Sequence, residues 1–134
     1  MNSLRQTAQQ GDAAAQYRLG SLYENGEGVA PDLEKAAGWY RKAARQGDGW
    51  AQYTMGRLYE TGQGVPQDLA KAANWYSKAA EQGVDWAEYA LGDLYTKGEG
   101  VSQSFETAAM WYQRAAIQTL AEAQHALACL YEEG

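Results

Sequence analysis

A period of 36 residues runs through this chain and constrains its fold more than any other feature. Gly20, Gly56 and Gly92 are separated by that interval, as are Tyr23, Tyr59, Tyr95 and Tyr131. It also relates the pairs Trp39-Tyr40, Trp75-Tyr76 and Trp111-Tyr112. The glycines Gly26 and Gly28, Gly62 and Gly64, Gly98 and Gly100 follow the same spacing, each couple followed by Val29, Val65 or Val101. Any two central units agree at roughly half their positions or more, the mark of a repeat architecture. Complete units span 11–46, 47–82 and 83–118. A leading half unit covers 1–10 and a trailing half unit 119–134, all within one domain, 1–134.

Each unit reads as two helices. In the first unit Ala15, Leu19, Leu22 and Tyr23 share one helical face over about 13–24. Gly26 ends that helix, because glycine accepts the left-handed conformation without a Cβ clash. Asp32 then stands as an N-cap, matched by Asp68 and Ser104, whose side-chain oxygens accept the free amides of the next helix. The second helix places Leu33, Ala36, Tyr40 and Ala43 on one stripe and ends near Gln46-Gly47. Such pairs, stacked with antiparallel neighbours, predict an all-α fold, a right-handed superhelix of helix pairs.

Small residues predict how the helices meet. Gly20, Gly56 and Gly92 lie inside helices, where glycine costs ~1 kcal/mol against alanine, so their recurrence implies close approach between helices. Ala43-Ala44, Ala79-Ala80 and Ala115-Ala116 have the same role on the second helices. The Trp-Tyr pairs are expected in the core and between repeats, with Trp75→Ala costing ~3–5 kcal/mol.

These residues resemble the Sel1-like repeat family, a relative of the tetratricopeptide repeat. The shared string is Ala-x-x-x-Leu-Gly-x-Leu-Tyr-x-x-Gly-x-Gly-Val, then Asp-x-x-Lys-Ala-x-x-Trp-Tyr-x-Lys-Ala-Ala-x-Gln-Gly. Residues 15–29 with 32–47 carry it nearly whole, and 51–65 with 68–83 carry it with Met55 at the Leu position. In 87–101 with 104–119, Ser104, Thr107 and Thr119 replace the usual Asp, Lys and Gly. The resemblance implies an adaptor that assembles other proteins; some bacterial members neutralise toxins. A cysteine-rich branch carries a disulfide in each repeat, and this chain lacks those cysteines.

If the resemblance extends to the concave face of tetratricopeptide-like superhelices, the first helices line a groove. Helical phase then sets the groove positions. Unit two contributes Trp50, Tyr53, Arg57, Glu60 and Thr61, with Ala51, Met55, Leu58 and Tyr59 facing the core. Unit three contributes Trp86, Tyr89, Asp93, Thr96 and Lys97, and unit one Ala14, Tyr17, Ser21, Glu24 and Asn25. The trailing helix gives Glu122, His125, Cys129, Glu132 and Glu133. Trp50 and Trp86 stand where unit one has Ala14. Trp, Tyr and Arg are common anchors of protein interfaces, so an aromatic groove is expected here, with Arg57 and Asp93 selecting charge. The competing reading folds both indoles back onto the preceding second helix as packing.

Charge narrows the partners. A formal net charge of −6, with 11 scattered basic residues, argues against nucleic-acid binding and slightly favours a basic or cationic partner. The aromatic set of 10 Tyr, 5 Trp and 1 Phe gives most large fillers a polar end that needs a partner or solvent. Cys129 is the only cysteine, which rules out an intramolecular disulfide or a thiolate-rich metal site. The opening residues have no apolar signal-peptide core, and no apolar run approaches membrane-spanning length. As written the chain reads as cytosolic or already mature, periplasmic or secreted if a signal peptide has been removed.

Other motifs carry little chemistry. Gly26-Glu27-Gly28 lacks the preceding strand and the Lys-Ser/Thr of a phosphate loop and reads as a helix stop. His125 replaces Tyr17, Tyr53 and Tyr89 in register, so a groove or packing role outweighs a catalytic or metal one. Cys129 is an incidental thiol at a variable outward position. No enzyme activity, cofactor or metal is expected. At the C-terminal end, the face carrying Leu127, Leu130 and Tyr131 is expected to lack its cover. That suggests either a longer repeat protein or a homodimer through this helix. The expected function is a protein-interaction module. The alternatives are a spacer in a larger solenoid and an immunity-type inhibitor of a bacterial toxin.

Overall fold

In the computed structural model, residues 2–117, 124–128 and 130 are described. Their helices are α1 (Asn2–Gln9), α2 (Ala13–Asn25), α3 (Leu33–Arg45), α4 (Gly49–Thr61), α5 (Leu69–Glu81), α6 (Asp85–Lys97) and α7 (Phe105–Ile117), and residues 124–128 are helical as well. Each of the seven packs chiefly on its neighbours in the chain, which stacks the pairs as a solenoid. First helices are α2, α4 and α6; second helices are α1, α3, α5 and α7.

Local chemistry sets the helix ends. The backbone amide of Lys35 donates to Asp32 Oδ1 at 3.1 Å, Lys71 repeats this on Asp68, and the Thr107 amide donates to Ser104 Oγ at 3.2 Å. The caps of the first helices, Asp12 and Asp48, went unread in the sequence although they accept from Ala15 and Ala51. In the third unit Val84 takes that place with no side-chain cap and turns into the core beside Gly49. Gly26 closes α2 at φ 72°, its amide donating to the Leu22 carbonyl.

The close approach expected at the helical glycines is made by one ring. A Cβ on Gly20 would sit 2.8 Å from the Tyr40 ring, and one on Gly56 2.6 Å from the Tyr76 ring; Gly92 and Tyr112 repeat the contact. Thus α3, α5 and α7 each lay a buried tyrosine across the glycine of the first helix in the same unit. Around these rings lie Leu19, Met55, Leu58, Leu91 and Leu94 and the paired alanines, all buried apart from Ala116, which is half-buried.

Three packing expectations need correction. Trp39, Trp75 and Trp111 are only half-buried, flanking the core while the adjacent tyrosines enter it. Neighbours on a helix point about 100° apart, so the alanine-tyrosine stripe takes the inside and the indole falls beside it. Leu33 likewise is exposed, because the stripe begins one turn later at Ala36 and Ala37. At the C-terminal end Leu130 is buried and Leu127 half-buried against Ala108 and Tyr112, so these two side chains are covered by the preceding pair. Tyr131 lies outside the described residues.

Side-chain amides tie successive pairs. Gln46 donates to Gln16 Oε1 and Gln82 to Gln52 Oε1, both at 2.7 Å. Gln16 and Gln52 in turn donate to the Ala8 and Ala44 carbonyls, satisfying buried polar atoms inside the stack. Glu88 holds the same register position in the third unit and is buried too.

Candidate interaction groove on the first helices

The groove positions are built on the buried tyrosines. Tyr17 leans on Tyr40, Tyr53 on Tyr76 and Tyr89 on Tyr112, with ring centroids 5.3, 5.7 and 5.8 Å apart. Above them Trp50 meets Tyr53 edge-on at 5.9 Å, and Trp86 meets Tyr89 at 6.1 Å. A chain of three rings therefore runs outward from the core in units two and three, and of two rings in unit one, where Ala14 stands. The outer ring is held in place before any ligand arrives.

The two indoles differ in cover. Trp50 is 50% exposed and borders a cleft of about 440 Å³ formed with Gln82, Gly83, Val84 and Asp85. Trp86 is half-buried and packs with Tyr89 against Ala115 and Ala116 of α7. Neither is sealed inside.

The charged positions are tied down. Tyr40 Oη donates to Glu24 Oε1 at 2.6 Å and Tyr76 Oη to Glu60 Oε1 at 2.6 Å. In unit three Thr96 replaces that glutamate, and the Tyr112 hydroxyl donates instead to Asp93 Oδ1, one turn earlier, at 2.5 Å. Burial, then the adjacent carboxylate, pushes the Tyr40, Tyr76 and Tyr112 hydroxyls well above the usual phenol range, so they remain donors. Burial also raises Tyr53.

Arg57 reaches across to the previous repeat, 3.0 Å from Glu24 Oε2. Burial would lower its guanidinium, but the Glu24 hydrogen bond and charge, with Tyr40 and Tyr53 nearby, together outweigh this and raise it. The equivalent places between units two and three hold Glu60 and Asp93. Among the described residues neither has a cation within ion-pair distance.

The remaining expected positions are peripheral. Ser21 accepts from Asn25 at 3.3 Å, and Thr61 is exposed, its hydroxyl donating to the Arg57 carbonyl. Lys97 is exposed, 4.0 Å from Glu99. His125 lies exposed on the helical stretch 124–128. Glu122, Cys129, Glu132 and Glu133 fall outside the described residues. The carboxylate acceptors of the tyrosines were missed in the sequence. Their signal is the exchange between Glu60 with Arg57 in one unit and Thr96 with Asp93 in the next.

A family model described as Sel1 repeat matches residues 13–48, 51–84, 87–119 and 121–134. A protective antigen of uropathogenic Escherichia coli strains, with an SLR fold, superposes with a TM-score of 0.97 at 40% identity, over 100% of this chain and 29% of that one. A Sel1 repeat protein from Oxalobacter formigenes gives 0.89 at 39% identity, over 93% of this chain and 51% of that one. This chain therefore spans less than two thirds of either. Helicobacter pylori cysteine rich protein B shares the fold with a TM-score of 0.71 at 24% identity, over 93% and 95%. No curated protein matches the sequence.

Proposed function

Because this chain belongs to the Sel1 repeat family, we propose that it is a non-catalytic adaptor that grips a segment of a partner protein along its first helices. Sel1 repeats generally mediate protein interactions and are typically non-catalytic. The observation that carries the reading is Trp50, a large apolar side chain left half in solvent yet held edge-on by Tyr53 and, through it, by buried Tyr76. An indole fixed in this way loses little conformational entropy on binding, which suits an interface anchor.

The partner segment on this reading presents an apolar side chain to Trp50 and Trp86 and a Lys or Arg to Glu60 and Asp93. That cation does for the second and third units what Arg57 does for Glu24. A second reading, a spacer within a longer solenoid, draws on one observation: the chain corresponds to 29% of the E. coli protein.

Affinity capture with the wild type beside Trp50→Ala/Trp86→Ala separates the two. The adaptor reading expects proteins retained by the wild type and lost by a variant with an unchanged helical spectrum. The same set retained by both would overturn it.

A further inference from the structure

The 11 lysines and arginines are divided unevenly between the two kinds of helix. Arg18, Arg57 and Lys97 lie on first helices; the other eight lie on second helices, against three carboxylates there, Glu34, Glu81 and Glu106. A chain of net charge −6 thus carries a basic side.

That side is structured around aromatic rings. Between α1 and α3 a cleft of about 380 Å³ is walled by Arg5, Lys35, Trp39 and Lys42, with Tyr23 from α2. Arg5 donates to the Tyr23 hydroxyl at 3.3 Å, and Lys35 Nζ lies 5.6 Å from the centre of that ring. Lys42 Nζ sits 4.5 Å over Trp39. An aromatic face positions a cation without neutralising it and leaves most of its N–H donors available. Among the described residues no carboxylate lies within ion-pair distance of these three.

The next unit repeats the arrangement. Arg41 donates to the Tyr59 hydroxyl at 3.4 Å, Lys71 lies 5.5 Å from that ring and Lys78 4.7 Å from Trp75. The third unit keeps the rings, Tyr95 and Trp111, but puts Ser77 and Thr107 where the first two cations belong, leaving Arg114 over Trp111 at 5.0 Å. If the cations served only to cover the rings, they would persist wherever the rings do. The Arg5/Arg41 and Lys35/Lys71 positions lose their cations in the third unit while Tyr95 stays, which separates these two positions from folding.

We infer that this second-helix face of units one and two docks an acidic segment of a partner polypeptide. Its Asp and Glu carboxylates accept from Arg5, Lys35 and Lys42 in one cleft and from Arg41, Lys71 and Lys78 in the next. A long polyanion is disfavoured, since the field of the whole chain repels it while a short segment answers to the local excess. The inference does not rest on the first-helix groove.

Fluorescence anisotropy with a labelled peptide of alternating Glu and Gly tests it, beside the same peptide with Gln for Glu. Binding of the Glu peptide that weakens with salt and falls about tenfold or more in Lys42→Glu/Lys78→Glu is the expected result. The neutralising pair Lys35→Gln/Lys71→Gln, at exposed positions, guards against a folding artefact and should weaken binding as well. Trp50→Ala/Trp86→Ala should leave it unchanged. Absence of binding, equal binding of the Gln peptide, or insensitivity to both lysine pairs would overturn the inference. So would tighter binding to a single-stranded oligonucleotide or to phosphatidylserine vesicles than to the Glu peptide.

Discussion

The tryptophans of the first helices and those of the second helices behave differently. Trp39, Trp75 and Trp111 recur in every complete unit, lie against the core cluster or beside its buried tyrosine, and each carries a cation over its outer face. Trp50 and Trp86 occur in two units of three, where unit one manages with Ala14, and their described ring contacts are to Tyr53 and Tyr89. A position that every unit fills and covers serves the stack. One that only some units fill, and that leaves Trp50 half in water, is free to serve something else.

Substitutions sharpen that contrast. The largest effect is expected away from both sets, at the glycine beneath the tyrosine next to Trp75. Gly56→Leu drives a side chain into the Tyr76 ring and should cost about 3 kcal/mol or more in urea denaturation. Trp75→Ala should cost about 2 kcal/mol, less than a fully buried indole because part of the ring stays open to solvent beside Lys78. A loss below that of Trp50→Ala would reverse the assignment of the two sets.

Tyr76→Phe should cost about 1 kcal/mol by removing the donor to Glu60. It also bears on pH. The Tyr76 hydroxyl titrates above its ordinary value of 10.0, so the unfolded chain gives up this proton first as pH rises. The stabilisation is complete below about pH 10 and is lost on going higher. Alkaline unfolding followed by circular dichroism should therefore be shallower in Tyr76→Phe than in the wild type. Asp93→Ala should be milder than Glu60→Ala, since Thr96 Oγ1 already stands 3.4 Å from the Tyr112 hydroxyl.

Much of this arrangement was legible in the sequence because it is local. Asp32 and Asp68 cap, and Gly26 turns left-handed, through contacts within a few residues. The repeat itself exposed the tyrosine ladder by phase. Features that depend on a second element were not legible. The ring above Gly56 belongs to another helix, and the partner of Arg57 lies 33 residues away in the previous unit. Adjacent Trp75 and Tyr76 read as one core pair, although the helix admits only one of them inward. The sorting of cations onto the second helices went unseen because, along the chain, they are interleaved with acids.

The claim that the groove indoles stand outside the folding energetics is tested most directly by urea denaturation of Trp50→Ala/Trp86→Ala. About 0.5 kcal/mol is expected at exposed Trp50, the scale of a surface change, and about 1 kcal/mol at Trp86, whose indole packs on Ala115, so the pair together should lose less than Trp75→Ala alone. A combined loss of several kcal/mol would make both indoles part of the core and remove the anchor from the proposed groove.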